Sequence, residues 1–270
     1  MVAHSGLITV MTRAARKAAP RLRRDFGEVE QLQVSRKGPA DFVSTADLKA
    51  DRVIREELSH ARPDYGLVTE EHPETSARDG RHRWIVDPLD GTTNFLHGIP
   101  HWAISIGLER EGEIVAGVIF DVIKNELYWA EKGAGAWLND RRLRVSGRRR
   151  LEEALLATGM AFKGREKGDD LLDQLGAAMS ETAGVRRLGS AALDLAWVAA
   201  GRYDGYWELG LKRWDLAAGV LLVREAGGFV TDPNGHDPRD TGDIVAANPH
   251  LHPALSEIVA DGITRSHAGA

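Results

Sequence analysis

The chain has no cysteine. That excludes disulfides, thiolate-held zinc, iron–sulfur clusters and a cysteine nucleophile, and it fits a reducing cytoplasm better than a stapled secreted domain. No apolar run approaches the ~20 residues that a membrane span needs. Neither sign of charge is in large excess: 35 Lys plus Arg against 40 Asp plus Glu leave −5. With a pI near 6.1, broad nucleic-acid binding is disfavoured and only local basic patches remain. There is no internal repeat and no low-complexity linker. Also missing are a G-x-S-x-G elbow, a phosphate-binding P-loop and an H-E-x-x-H zinc motif.

What is present is an ordinary globular balance over 270 residues, 43% hydrophobic and 28% charged,. The length fits two domains or one large α/β unit. The division expected is an N-terminal α+β region, 1–150, and a C-terminal α/β region, 151–270. Arg148–Arg150 reads as a solvated linker between them.

Met1–Arg24 holds Arg13, Arg16, Lys17, Arg21, Arg23 and Arg24, and no acidic residue precedes Asp25. That composition overlaps a transit peptide or a membrane-surface helix. The spacing of Leu7, Ile8, Val10, Met11, Ala14, Ala15 and Ala18 favours a first helix of the fold, with the arginines in water. Pro20 is expected to kink or end it. Asp47–His60 reads as a helix capped by Ser44 or Thr45. Gly66–Thr69 is a strand leading into Glu70-Glu71, His72–Arg83 an exposed loop, and Trp84–Val86 a short buried strand stopping at Asp87-Pro88. Ala103–Glu109, Ile114–Phe120 and Glu126–Glu131 read as strands, with a hairpin turn at Glu111-Gly112. Further turns fall at Gly133–Ala136 and Asn139-Asp140. Beyond 151, strands are expected at Leu155–Thr158, Tyr203–Trp207, Phe229–Thr231 and Ile244–Ala247. Helices are expected at Asp169–Glu181, Ala191–Ala200, Leu216–Ala226 and Pro253–Ala260. This is a mixed α/β pattern with two sheet-forming regions.

The most informative segment is Trp84-Ile-Val-Asp87-Pro-Leu-Asp90-Gly-Thr-Thr-Asn-Phe95. A buried strand runs directly into two carboxylates, which are costly beside a core unless a hard cation compensates them. Both carboxylates and the Leu89 carbonyl can face one point, and a helix after Thr92 would offer N–H groups to a phosphate. An EF-hand starting at Asp87 is excluded, because its twelfth position is Gly98 rather than glutamate,. The plain alternative is an Asp-Pro turn capped by its own carboxylates. Glu70-Glu71 ends a strand, and Trp214-Asp215 opens an apolar helix where Asp215 could equally be an N-cap. Taken together these side chains suffice for a two-metal site that activates water and stabilises a leaving oxygen. His97 and His101 are four apart, but Gly98 and Pro100 break any helix that would let them share a metal,.

These residues resemble the inositol monophosphatase family of Mg²⁺-dependent, lithium-sensitive phosphatases, most closely its bacterial inositol-1-monophosphatases. The resemblance spans about residues 5–260. It rests on Glu70-Glu71, Asp87-Pro-Leu-Asp-Gly-Thr-Thr-Asn94, Trp214-Asp-Leu-Ala-Ala-Gly219 and Arg187-Leu-Gly-Ser-Ala-Ala-Leu-Asp194. Lys37-Gly-Pro-Ala-Asp41 and Thr45-Ala-Asp47 are similar to its N-terminal mobile loop and catalytic aspartate. The resemblance implies a layered α/β/α/β/α sandwich, a homodimer, and two or three Mg²⁺ ions. It implies metal ligands at Glu70, Asp87, the Leu89 carbonyl, Asp90 and Asp215. It implies an Asp47–Thr92 pair that positions the attacking water, with Glu70 helping to hold it. Phosphate is expected on the metals and the Gly91 and Thr92 amides, and the alcohol against Gly189, Ser190, Ala191 and Glu208. Small departures are Thr69, where glycine or serine is common in the family, Lys212, and Pro20.

Glu208 favours a polyol, hence myo-inositol 1-phosphate as substrate. Fructose 1,6-bisphosphate, histidinol phosphate and 3′-phosphoadenosine nucleotides are the alternatives. A further role, binding RNA or the transcription machinery through the first helix or Arg148–Arg150, is the second class of reading.

Overall fold

A computed structural model describes residues 4–28, 34–38, 41–159 and 168–268. The first layer is two helices, α1 (Gly6–Gly27) and α2 (Thr45–Ala61). Between them in sequence, β1 (Val34–Gly38) and β2 (Asp41–Ser44) form a separate antiparallel pair. The Ser5 hydroxyl caps α1 by accepting the Ile8 N–H at 3.2 Å. The expectation at Pro20 needs correcting: α1 runs through it to Gly27. Pro20 is on the exposed side, and burial of Ile8, Met11, Ala14, Ala15, Ala18 and Leu22 outweighs one lost backbone hydrogen bond.

The second layer is a seven-stranded sheet. It contains β3 (Gly66–Thr69), β4 (His82–Asp90), β5 (Ala103–Arg110), β6 (Glu113–Asp121), β7 (Glu126–Glu131), β8 (Gly135–Leu138) and β9 (Arg141–Arg142), in that order. Only β3 and β4 are parallel neighbours. Two strand expectations change. The strand at Trp84–Val86 extends on both sides, because β5 pairs with it from His82 to Asp90. Gly135 and Ala136 belong to β8 rather than to a turn. A short helix, α3 (Thr92–Leu96), follows β4.

The third layer is α5 (Ala191–Ala199) and α6 (Arg213–Glu225). The fourth is a five-stranded sheet ordered β11 (Gly184–Arg186), β10 (Leu155–Thr158), β12 (Gly205–Glu208), β14 (Ile244–Ala247), β13 (Phe229–Thr231). The fifth is α4 (Gly168–Glu181) and α8 (His252–Ala268), with the short α7 (Pro238–Thr241) on a connection.

Three hydrophobic clusters join these layers. Trp84, Val86, Ile104 and Ile106 pack against α1 and α2. Ile85, Ile119 and Tyr128 meet Tyr206, Ile244 and Ala246 across α5 and α6. Trp207, Val245 and Ala247 pack against Ala178, Leu255 and Val259. The result is the α/β/α/β/α sandwich implied by the resemblance. Among the described residues no helix is long and apolar enough to cross a membrane.

Candidate active site

The site is built outward from β4. Strand side chains alternate between faces. Trp84 and Val86 enter the outer cluster and Ile85 enters the one around α5 and α6. Asp87 continues the Ile85 face and pairs with Ser105, whose Oγ lies 3.5 Å from the Trp214 carbonyl at the start of α6. Strict alternation would send Asp90 to the opposite face. The pairing of β4 with β5 slips between Asp87 and Asp90, so the Leu89 side chain takes the outer cluster and Asp90 turns toward α5. There Asp90 Oδ2 accepts the Ala192 N–H at 3.0 Å and the Ser190 hydroxyl. The Leu89 N–H donates to Asp87 Oδ1 at 2.9 Å.

Asp215 arrives on α6. Lys212 is the N-cap and Asp215 the third helical residue, its carboxylate accepting the Lys212 N–H at 2.7 Å. Arg213 anchors this helix start by donating to Glu109 at 2.9 Å. A carboxylate oxygen from each of Asp87, Asp90 and Asp215 lies within 4.8 Å of the others. Glu70 follows β3, and its N–H donates to the Val86 carbonyl at 3.3 Å, which sets it beside Asp87.

Burial and this crowding push the acids toward their neutral forms. Asp87 is raised well above the usual carboxylate range by burial first, then by Glu70, Asp90 and Asp215. Asp90 is pushed up to about 7 by burial, with Ser190 and Ala192 opposing. Asp215 is also raised, by burial and then by Asp90. The donors are all carboxylate oxygens with one backbone carbonyl nearby, which is the chemistry of a hard divalent cation.

Beside this cluster sits a second arrangement. Gly91 has φ +94°, and a Cβ there would meet the His101 carbonyl at 3.1 Å, so the turn into α3 needs glycine. Thr92 then begins α3, with its Oγ1 3.1 Å from Asp47 Oδ1 and 3.1 Å from the Leu89 carbonyl. Asp47 is fully buried. Its Oδ2 accepts the Ser44 N–H at 2.9 Å and the Ser44 hydroxyl, closing a capping box on α2,. Burial raises its pKa, and these hydrogen bonds oppose the rise.

The opposite wall comes from the second sheet. Gly189 precedes Ser190, whose buried hydroxyl both caps α5 and reaches Asp90; Ala191 is the first helical residue. Glu208 ends β12, and Tyr206 donates to its Oε2 at 2.6 Å. The Glu208 charge raises the pKa of both Asp90 and Asp215, so its carboxylate lies near them.

Sequence reasoning missed several of these supports. Tyr206 carries the period-two signal of sharing a strand face with Glu208. Asn94 lies inside the acidic segment and donates to the His101 and Leu188 carbonyls at 2.8 and 2.7 Å. Gly159 carries no local signal: a Cβ there would fall 1.8 Å from the Glu208 carboxyl group. His101 is a packing residue, buried edge-on against Trp197. In the Lys37–Asp41 segment, residues 39 and 40 lie outside the described residues. Arg148 is bound to the buried Asp204 at 3.1 Å rather than simply solvated.

Fold and site together define a phosphatase. The sequence model of the inositol monophosphatase family matches residues 4–264, and the chain belongs to that family. It is 58% identical over 259 residues to the inositol-1-monophosphatase of Rhizobium meliloti (strain 1021), covering 96% of this chain and 97% of the relative. It is 42% identical over 259 residues to Nus factor SuhB of Escherichia coli (strain K12), covering 96% and 97%. The crystal structure of extragenic suppressor protein suhB from Bartonella henselae superposes with a TM-score of 0.92 at 55% identity, covering 94% of this chain and 98% of that one.

Proposed function

We propose that this chain hydrolyses myo-inositol 1-phosphate to myo-inositol and phosphate, as a cytoplasmic, Mg²⁺-dependent homodimer. The observation that carries the site assignment is the convergence of Asp87, Asp90 and Asp215 within 4.8 Å. In this reading those three carboxylates, Glu70 and the Leu89 carbonyl hold two or three Mg²⁺ ions. Bound there, Mg²⁺ supplies Lewis acidity toward the phosphoryl oxygens and lowers the pKa of water.

The chain's own residues do the rest. The Thr92 hydroxyl donates to Asp47, which leaves its oxygen to accept a hydrogen bond from the attacking water and aim it at phosphorus. As the water oxygen bonds to phosphorus, its proton passes through Thr92 to Asp47. The phosphorus–inositol oxygen bond breaks, and the departing inositol oxygen takes a proton from water. Glu70 helps hold that water from the other side. The Gly91 and Thr92 amides donate to phosphate oxygens. Gly189, Ser190 and Ala191 border the alcohol, and Glu208, fixed by Tyr206, accepts hydrogen bonds from its hydroxyls. No covalent phospho-enzyme is needed.

The test is phosphate release from myo-inositol 1-phosphate, fructose 1,6-bisphosphate, histidinol phosphate and 3′-phosphoadenosine 5′-phosphate, with Mg²⁺, with EDTA and with added Li⁺. Metal-dependent, lithium-inhibited release led by the inositol ester is expected. Release led by another substrate overturns the polyol role of Glu208, and release unaffected by EDTA overturns the metal site.

A second role is supported by the resemblance to Nus factor SuhB and by a groove on α1 lined by Arg16 together with Arg13 and Lys17, the latter two paired to Glu57. In that reading the groove binds RNA. The expected result is salt-sensitive RNA binding that survives Asp87→Asn; absence of binding at low salt refutes it.

A further inference from the structure

Residues 69–72 leave β3 and carry Glu70 and Glu71. The segment is closed on itself, since the His72 N–H donates to Thr69 Oγ1 at 3.2 Å. The His72 end of this closure meets an acid on α2. Asp51 lies four residues after Asp47, hence on the same helix face, and it is fully buried. His72 Nδ1 lies 2.6 Å from Asp51 Oδ2, and Arg55 stands 3.7 Å away. Burial raises the Asp51 pKa, while His72, the Thr69 hydroxyl and Arg55 offset part of the rise. A fully buried carboxylate is costly without such partners, and a hydrophobic contact could have closed the loop without one. What the carboxylate adds is direction: it holds the His72 ring, and through the His72–Thr69 closure the backbone of residues 69–72.

We propose that Asp51, Thr69 and His72 form a strap that sets Glu70 at a fixed distance from Asp47, making His72 a positioning residue for cation binding. The strap ties the segment bearing Glu70 to the helix bearing Asp47, so the two halves of the reaction centre share one reference point. His72 touches neither substrate nor cation in this scheme. It acts through the backbone of residues 70–72. The inference rests on the reading of Glu70 as a metal ligand.

The test is Mg²⁺ titration of the metal-free full-length protein by calorimetry, for wild type, His72→Ala, His72→Asn and Glu70→Gln, with melting temperatures of the metal-free proteins. Asparagine places an amide N–H where Nδ1 stands. The expected result is ~10-fold weaker Mg²⁺ binding in His72→Ala, the loss typical of removing a group behind a ligand, with restoration in His72→Asn. The Mg²⁺ concentration for half-maximal activity rises by the same factor, while KM for substrate at saturating Mg²⁺ stays unchanged. Wild-type Mg²⁺ affinity in His72→Ala, with weakened binding in Glu70→Gln, overturns the strap alone. A lowered melting temperature with unchanged affinity also overturns it, marking a plain structural brace. Unchanged affinity in Glu70→Gln overturns the ligand reading and the strap together. If His72→Ala does not fold, His72→Asn against Asp51→Asn decides, because only a strap makes Mg²⁺ affinity depend on the pair.

Discussion

Gly107 on β5 faces Ala217 on α6 so closely that a Cβ added to the glycine would stand 2.8 Å from the alanine Cβ. Gly117 on β6 meets Ala218 in the same way, at 3.0 Å from its Cα. These contacts seat the helix that delivers Asp215 directly on the strands beside Asp87. Gly107→Ala is therefore expected to lower stability by ~1–3 kcal/mol, the usual cost of overpacking, and to weaken Mg²⁺ binding with it. A denaturant midpoint and a Mg²⁺ titration check both.

Asp87→Asn separates stability from activity. The Asp87 carboxyl is held toward its neutral form by burial and by Glu70, Asp90 and Asp215. A neutral amide relieves that repulsion. The metal-free variant is expected to melt no lower than wild type, while turnover falls at least ~10-fold through loss of a ligand. Retained turnover contradicts the ligand assignment.

Cation binding is expected to release protons. With Asp90 pushed up to about 7, part of the cluster is protonated in the metal-free protein near neutrality, and ligation needs the carboxylates ionised. Affinity for Mg²⁺ therefore weakens as pH falls below about 7. Calorimetry in buffers of different ionisation enthalpy measures the proton count directly.

His101 governs part of the acid sensitivity. Burial, with Lys124 nearby, lowers its pKa to about 4. The unfolded chain takes up this proton near the ordinary value of 6.5, so the unfolded state binds more protons between the two values. Stability from this group is present above the unfolded pKa and is lost as pH falls through that window, by an amount of order ~3 kcal/mol. His101→Gln is expected to flatten that loss in melts between about pH 7 and about pH 5.

Gly159→Ala is expected to alter substrate choice more than folding. The added methyl displaces the Glu208 carboxyl group from its place beside Tyr206. KM for a polyol phosphate should rise several-fold, while turnover of a small aryl phosphate changes little. Equal losses on both would contradict the assignment of Glu208.

The strands rich in β-branched and aromatic residues, Ala103–Glu109 and Ile114–Phe120, were readable from local pattern, because each is buried on both faces,. The acidic segment was readable for a different reason: two carboxylates after a buried strand conflict with burial and demand a compensating partner. The five layers came from the resemblance, since periodicity does not say which faces meet. The β8 strand was hidden because Gly133-Ala-Gly-Ala136 reads locally as a turn, yet Gly135, at φ +86°, pairs with Glu131. Gly159, Asp51 and His72 matter through contacts with residues distant in sequence or on other elements, where a single chain gives no local cue, whereas Tyr206 showed only the period-two spacing to Glu208.

The slipped pairing between Asp87 and Asp90 has a consequence for how this chain tolerates length change. A strand is a two-state counter: each residue added or removed swaps inside for outside. Here the slip breaks that parity once, so that two acids three positions apart fall on one side. Deleting Pro88 alone would restore strict alternation and carry both acids to one side without the slip, but it would move the Leu89 carbonyl out of register. Inserting a residue would also make the spacing even, but it would likewise carry the Leu89 carbonyl away from its place between the two acids. The spacing of this segment is thus a stricter constraint than the identity of its non-acidic residues.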